Sequence, residues 1–440
     1  MSNRLTVDGS FAPARWRYRI FGVTWLAYAG FYLVRKNFSV VMPMLTEDLG
    51  FTKTDLAWVL TGYSLIYMLG QFANGLLSDR FGPRLIVGAG LVIAVVSNVF
   101  MAFGSSLLIF VMLMWMNGYG QSTGWSGLVK NMSSWFRHDE RGVVMGWWCT
   151  CYVVGGFAAT VLATFWSTND LFLVDLGWRR GFFMPALMLL LIAGAYIFFT
   201  RNKPSDAGFE ELPDDFEAPE TPDAAKRPDA DKHEVLRAVL SSPAVWITGA
   251  MYFFVKMTRY AFLFWLPLYM TEALMYSNEE AGYTSSVYEL VGFLGVLIAG
   301  YASDKLFQAR RFPVGAIMLY GLAIVLFIHP SISGLGLVVN AISIGIIGIM
   351  TYGPDALMSG AGAMDLGSRR GAATAAGVIN GMGSCGQLLS PLLVAYVSAA
   401  FGWNSLFYIF VIFALISGTL LATKWNYGGR PVKQSAAASV

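Results

Sequence analysis

Charged side chains are sparse. They make up 13% of the 440 residues, against 56% hydrophobic ones. Soluble domains run near a quarter charged, so a water-soluble globular domain is excluded and the chain reads as a membrane protein. Histidine and cysteine are sparser still, at three residues each. His138, His233 and His329 fall in loops or at the ends of apolar stretches, which leaves no histidine for a proton relay at mid-membrane. Cys149 and Cys151 stand two apart and point to nearly opposite faces of a helix. A metal site there is disfavoured, no disulfide is implied, and the cysteines read as small packing residues. Hydrolase, kinase and phosphate-loop constellations are missing too, so the sequence offers no enzyme chemistry and asks for no cofactor or metal.

Long apolar runs fill the space. A helix crossing the bilayer core needs about 20 mainly apolar residues. Twelve such stretches occur, near 20–44, 57–78, 85–104, 107–129, 143–165, 181–200, 243–271, 281–302, 313–330, 333–355, 373–397 and 402–423. They are continuous runs and not ten-residue alternations, which excludes a membrane β-barrel. Arg4, Arg15, Arg17 and Arg19 precede the first run, which is too long for a signal peptide and reads as an uncleaved first helix. The N-terminus, the even-numbered loops and the C-terminus carry 22 of the 30 lysines and arginines, and the opposite side carries three, Lys53, Arg179 and Arg180. The positive-inside rule then puts both termini in the cytoplasm of a multi-pass protein of the plasma (inner) membrane. The net charge of +3 is a topology signal and implies no nucleic-acid partner; the partner is the lipid bilayer.

The chain repeats itself. Arg35 to Pro43 reads R-K-N-F-S-V-V-M-P, and Arg259 to Pro267 reads R-Y-A-F-L-F-W-L-P; both are R-x-x-F-x-x-x-x-P, half a chain apart. G-L-L-S-D-R-F-G-P-R from Gly75 recurs as G-Y-A-S-D-K from Gly300, and Arg141-Gly142 recurs as Arg370-Gly371. Between the halves, residues 201–242 are acidic and proline-rich, lacking the apolar content for a core. The expected organisation is a six-helix bundle over 1–200, a cytoplasmic linker over 201–242 and a second six-helix bundle over 243–440. Both halves start on the same side, so the duplication is parallel in topology. Parallel six-helix halves are the arrangement of the major facilitator fold, an all-α membrane architecture of two pseudo-symmetric bundles.

Ionisable residues inside the spans are few: Arg35, Lys36, Lys130, Lys256 and Arg259, against Glu289 and Asp355. An arginine at bilayer depth costs roughly 2.5–3.5 kcal/mol on insertion scales, so two of them in duplicated positions point to use. Lys130 and Asp355 lie near span ends and read as snorkelling to water, leaving four cations against one anion. The guanidinium fork matches phosphate or carboxylate in a bidentate way and keeps its charge. Two forks, one from each half, suit a dianionic phosphate; the alternative is that the arginines pair with Glu289 or backbone carbonyls and only hold helices together. Lys36 sits about 100° around the helix from Arg35 and is expected to pair with Glu289. Tyr28 and Tyr32 lie on the helix face of Arg35, and Tyr67 lies at mid-depth in the second span; their hydroxyls are candidates for the ligand shell or plain packing. Gly118, Gly120, Gly124 and Gly127 in the fourth span read as close helix packing. Asp79 and Arg80, with Asp304 in the repeat, form charged turns that either latch one state of the protein or merely reverse the chain.

The string F-Y-L-V-R-K-N-F-S-V-V-M-P (31–43) resembles the first helix of the organophosphate:phosphate antiporter family, which includes glycerol-3-phosphate, hexose-6-phosphate and phosphoglycerate transporters and a hexose-phosphate sensor. Similar strings are S-D-R (78–80), G-W-S-G-L-V-K-N-M-S-S-W-F (124–136), E-R-G (140–142), V-G-G (154–156), R-Y (259–260), Y-E (288–289), S-D-K (303–305), Y-G-P (352–354) and G-A-A-T-A-A-G (371–377). The resemblance covers nearly the whole chain. It implies that Arg35 and Arg259 bind phosphate, that Tyr28, Tyr32 and Tyr67 line the site, and that an organic phosphate exchanges for inorganic phosphate by rocker-switch alternating access in a monomer. The chain also departs from the family. Gln71 stands where members carry a lysine, Tyr152 where they carry a histidine before V-G-G, Lys256 in place of a tyrosine, and Phe264 in place of an acid. The phosphate anchor is therefore expected to persist in a rebuilt pocket, with Lys256 as a third cation near the ligand or as a partner of Glu289. A membrane sensor that binds a sugar phosphate and signals to a kinase is the second reading; the short polar linker lacks a docking module for it.

Overall fold

The computed structural model describes residues 14–136, 144–145, 147–210, 237, 239–308, 310–362, 366 and 368–427. His138, Arg141-Gly142, E-R-G (140–142), His233 and most of the 201–242 linker lie outside the described residues. Twelve long α-helices account for most of the described residues: α1 (Ala14–Leu49), α2 (Lys53–Phe81), α3 (Pro83–Phe103), α4 (Leu107–Trp135), α5 (Thr150–Thr168), α6 (Arg180–Phe199), α7 (Pro243–Leu274), α8 (Asn278–Tyr301), α9 (Arg311–Ile332), α10 (Leu337–Leu357), α11 (Ser368–Phe401) and α12 (Trp403–Ala422). Hydrocarbon offers no water to peptide groups, so each segment must satisfy its own backbone, and helices do so.

Eight of these helices are long and apolar enough to cross a membrane, or nine if the two arms of α2, bent by 42°, count as one span. The remaining three are α1, α4 and α7. They exceed the needed length but carry Arg35, Lys36 and Asn37, then Asn117, Gln121 and Ser122, then Lys256 and Arg259. The apolarity deficit is thus confined to helices holding buried polar side chains, and the twelve spans read from the sequence correspond to twelve helices.

By internal packing the described residues form two units. The first takes in 14–210 with Leu263–Glu289 and Pro391–Ala399; the second takes in 237–262, Leu290–Ser390 and 400–427. The later part of α7 and the start of α8 belong to the first unit because side chains of α1, α2 and α5 hold them: Ser39 Oγ donates to the Phe264 carbonyl at 2.5 Å, and Lys53 pairs with Glu272 at 2.6 Å. The start of the expected linker is also packed. Asn131 and Trp135 donate to the Arg201 carbonyl at 2.8 and 3.1 Å, and Phe209 meets Trp16 edge-on. Phe209 is the linker's ring in this contact, and the indoles that receive the segment belong to α1 and α4.

The core of the first unit is aromatic and aliphatic, including Phe31, Val34, Leu91, Leu128, Trp135, Trp148 and Leu189. A smaller cluster of Ala299, Val314, Met318 and Leu357 joins α8, α9 and α10 in the second. Gly82 makes the whole reversal between α2 and α3 with φ +84°, a left-handed value that favours glycine, and Pro83 starts α3 where its missing N–H is harmless. So Asp79 and Arg80 are in the last turn of α2. The duplication has a packing counterpart. A Cβ on Gly155 would lie 2.9 Å from the Ala29 carbonyl oxygen, and one on Gly386 would lie 2.1 Å from that of Phe253. Phe253 stands as far from Ala29 along the chain as Arg259 stands from Arg35. In each half a glycine lets the first and fifth helices touch backbone to backbone. The fourth-span glycines pack likewise, Gly120 lying against the Gly90 carbonyl.

Gly386→Leu is expected to destabilise the folded protein by about 1–3 kcal/mol through overpacking. Gly381→Ala, on the same helix with nothing within 4 Å of the new Cβ, is expected to leave stability unchanged or slightly raised. Thermal unfolding in detergent, followed by tryptophan fluorescence, checks the pair; equal melting temperatures would contradict the close approach.

Candidate functional site

In the first unit the site is built on α1. Arg35 is 6% exposed. Its Nε donates to Gln121 Oε1 on α4 at 2.7 Å, and its guanidinium lies over the rings of Tyr32 and Tyr67 at 4.7 and 5.0 Å. Gln121 is held in turn: its Nε2 donates to the Val34 carbonyl and to Asn117 Oδ1, and Tyr63 OH donates to its Oε1 at 3.0 Å. Arg35 Nη2 is buried and has no partner among the described residues. A neutral amide therefore orients the arginine without cancelling its charge, and the open donor is the feature an anion would occupy. Tyr28 stands one ring further along α1, against Tyr32, Trp125 and Trp148. Tyr152 packs on the same aromatic core.

Lys36 turns the other way. Its Nζ donates to the Leu263 carbonyl at 2.6 Å and lies 3.6 Å from Glu289 Oε2. Glu289 also accepts from Thr160 at 3.3 Å, and Gly156 leaves it room: a Cβ there would meet Oε1 at 2.6 Å. The carbonyl taken by Lys36 is available for a covalent reason. Pro267 has no N–H to bond the carbonyl four residues back, and that carbonyl is Leu263. The same holds in α6, where Pro185 frees Gly181 and Asn37 Nδ2 takes its oxygen at 3.2 Å. The proline that closes the R-x-x-F-x-x-x-x-P motif thus supplies an acceptor at depth.

In the second unit, Arg259 on α7 pairs with Asp355 on α10, Nη1 to Oδ2 at 2.6 Å, and stacks on Tyr352 at 4.4 Å. Asp355 is 6% exposed. It lies near the end of α10, as expected, but it does not snorkel to water: it is buried against Arg259. Among the described residues the anions at depth are therefore two, Glu289 and Asp355. Lys256 Nζ lies 5.2 Å from the ring centroids of both Tyr252 and Tyr260 and makes no ion pair among the described residues. Gly383 on α11 leaves space for Tyr252 and the Lys256 stem.

The charged turns have local partners. Lys130 pairs with Asp79 at 2.6 Å and also donates to the Ser78 carbonyl, while Arg80 lies over the Phe81 ring. Asp304, in a helical turn and not a loop, pairs with Arg311. Gln71 lies at the bend of α2. Sequence reasoning missed Gln121, Tyr63, Thr160 and the depth of Asp355. The signal for Gln121 was present, since Asn117 and Gln121 share a helix face in a span and polar residues there call for partners.

Gln121→Leu strips partners from Arg35 Nε and Tyr63 OH and is expected to cost about 1–3 kcal/mol for each buried group left unsatisfied. Tyr63→Phe, which removes a single donor, is expected to cost about 1 kcal/mol. The double change Gln121→Leu with Arg35→Met should cost less than the sum of its parts; strict additivity in thermal unfolding would show that the two side chains do not pair.

The profile of the Major Facilitator Superfamily matches residues 24–376. The glycerol-3-phosphate transporter of Bacillus subtilis is 30% identical, over 95% of this chain and 94% of its own. The probable hexose phosphate transport protein of Chlamydia trachomatis is 29% identical, over 93% and 91%. The membrane sensor protein UhpC of Escherichia coli is 28% identical, over 96% and 94%. Among solved structures, a bacterial homologue of the human lysosomal transporter Spinster superposes with a TM-score of 0.77 at 16% identity, over 94% of this chain and 98% of that one, which concerns the fold alone. With twelve long helices among the described residues, an arginine motif repeated in the two halves and relatives that match more than nine-tenths of the chain, this chain is a multi-pass membrane transporter and not an enzyme, and it belongs to the organophosphate transporter family of the major facilitator superfamily.

Proposed function

We propose that the protein exchanges an organic phosphate or phosphonate for inorganic phosphate across the plasma (inner) membrane, by rocker-switch alternating access, as a monomer with both termini cytoplasmic. The observation that carries this reading is Arg35: a buried guanidinium oriented by a neutral glutamine, backed by two tyrosine rings, with a donor left open. Its repeat mate Arg259 gives the second half a guanidinium of its own. In this reading the phosphoryl group is bound by Arg35 and Arg259, with Lys256 as a further cation. Tyr32 and Tyr67 fix the Arg35 plane, and Tyr28 and Tyr152 shape the wall behind them. The Lys36–Glu289, Asp79–Lys130 and Asp304–Arg311 contacts are the ones that break and reform as the halves rock. The surplus of lysine and arginine on one side, 22 against three, supports the orientation. Likeness to a membrane sensor favours a second reading, in which the site binds a sugar phosphate and moves nothing.

Changing either Arg35 or Arg259 to lysine keeps the charge and loses the planar fork. Binding of inorganic phosphate should weaken by more than tenfold while the protein remains monodisperse. Affinities within twofold of the unaltered protein for both variants would remove the two-arginine site.

Proteoliposomes loaded with inorganic phosphate should take up labelled phosphate rapidly, and phosphate-free vesicles should not, even under a pH gradient. Binding without any flux would favour the sensor; uptake driven by the pH gradient alone would replace exchange with proton coupling, with Glu289 the first residue to test.

A further inference from the structure

The two arginines are not equivalent. Arg35 is oriented through Nε by an uncharged amide. Arg259 is held at Nη1 by a carboxylate, and its Nε is buried without a partner among the described residues. Nε belongs to the side-on edge of the guanidinium, the edge suited to bidentate contact with an oxyanion. Asp355 occupies the other end, so it leaves that edge open. Its own second oxygen, Oδ1, is likewise buried and unpartnered among the described residues, in a side chain only 8% exposed. An ionised carboxylate has only acceptor sites, and an unmade bond to a buried charged oxygen is costly. A phosphoryl group on the open edge of Arg259 would stand beside this oxygen, anion next to anion. The arrangement is favourable only when a hydrogen-bond donor comes with the ligand.

We propose that Asp355 is a specificity-determining residue: its free oxygen accepts a hydrogen bond from the organic part of the substrate, so that the protein selects phosphate esters bearing a hydroxyl or ammonium close to the phosphoryl group. The inference rests on the reading of Arg259 as a phosphate ligand. A plain alkyl phosphate leaves Oδ1 unsatisfied and is rejected; sites built to bond a donor discriminate strongly against analogues lacking it.

The test is displacement of labelled inorganic phosphate from purified full-length protein by three esters with one phosphoryl group and different tails: ethyl, 2-hydroxyethyl and 2-aminoethyl phosphate. The unaltered protein should prefer the hydroxyethyl and aminoethyl esters over the ethyl ester by about tenfold or more. In Asp355→Ala both ratios should fall below about threefold, whatever happens to absolute affinity. Ratios that survive in Asp355→Ala overturn the proposal, and a uniform loss across all three esters would make Asp355 a positioning residue for Arg259 only. Equal affinities in the unaltered protein overturn it as well. Should Asp355→Ala fail to fold, Asp355→Asn serves, since its amide oxygen still accepts but carries no charge: loss of the aminoethyl preference supports the proposal and retention of both preferences overturns it. If neither inorganic phosphate nor any ester binds, the phosphate-transport reading itself falls, an outcome distinct from unselective binding.

Discussion

A polar group at bilayer depth has no water to fall back on, and the interior of this protein is arranged around that constraint. Each buried side chain on α1 between Arg35 and Ser39 that carries a donor is assigned to an acceptor on another helix. Arg35 goes to Gln121, Lys36 to the Leu263 carbonyl, Asn37 to the Gly181 carbonyl and Ser39 to the Phe264 carbonyl. An unsatisfied buried group costs about 1–3 kcal/mol, more when charged, so these pairings decide which helices must lie together. The inclusion of part of α7 and α8 in the first packing unit follows from them.

The acceptors come from a covalent feature. A proline inside a helix cannot bond the carbonyl four residues before it, and in lipid that carbonyl needs another donor. Pro267 and Pro185 create such carbonyls, and α1 fills both. The kink-forming proline and the buried cation are two halves of one interaction. Glycines work at other contacts: Gly155 and Gly386 let the backbones of the first and fifth helices of each half approach closely.

Within this frame the arginines acquire different characters. Gln121 holds Arg35 in place and leaves its charge uncompensated; Asp355 holds Arg259 and compensates it. A pair of buried charges is not in itself a gain in stability, because desolvation offsets much of the attraction. Lys256, seated between two tyrosine faces, is a second cation on the same helix as Arg259, and cation–π contact of that kind stabilises a charge by about 0.5–2 kcal/mol without neutralising it. In the proposed transport cycle, function is carried by groups whose bonding is incomplete among the described residues: Arg35 Nη2, Arg259 Nε and Asp355 Oδ1.

Sequence alone determined the class of protein. Scarce charge, long apolar runs and the lysine–arginine distribution define a membrane bundle, because hydropathy over the length of one span is a local property. The duplication was legible too, since a repeated motif needs no folding to be seen, and it singled out Arg35 and Arg259. What the sequence could not decide was pairing. Asp355 lies near a span end, where water is the default partner, but it is buried beside Arg259 instead. Gln121 was hidden among glycines that signalled only packing, and the start of the linker docks on indoles of α1 and α4 that lie far from it in sequence. These are contacts between residues 70 to 227 positions apart, and such neighbours exist only once the helices have packed, which is why the tertiary structure alone assigned each buried charge its partner.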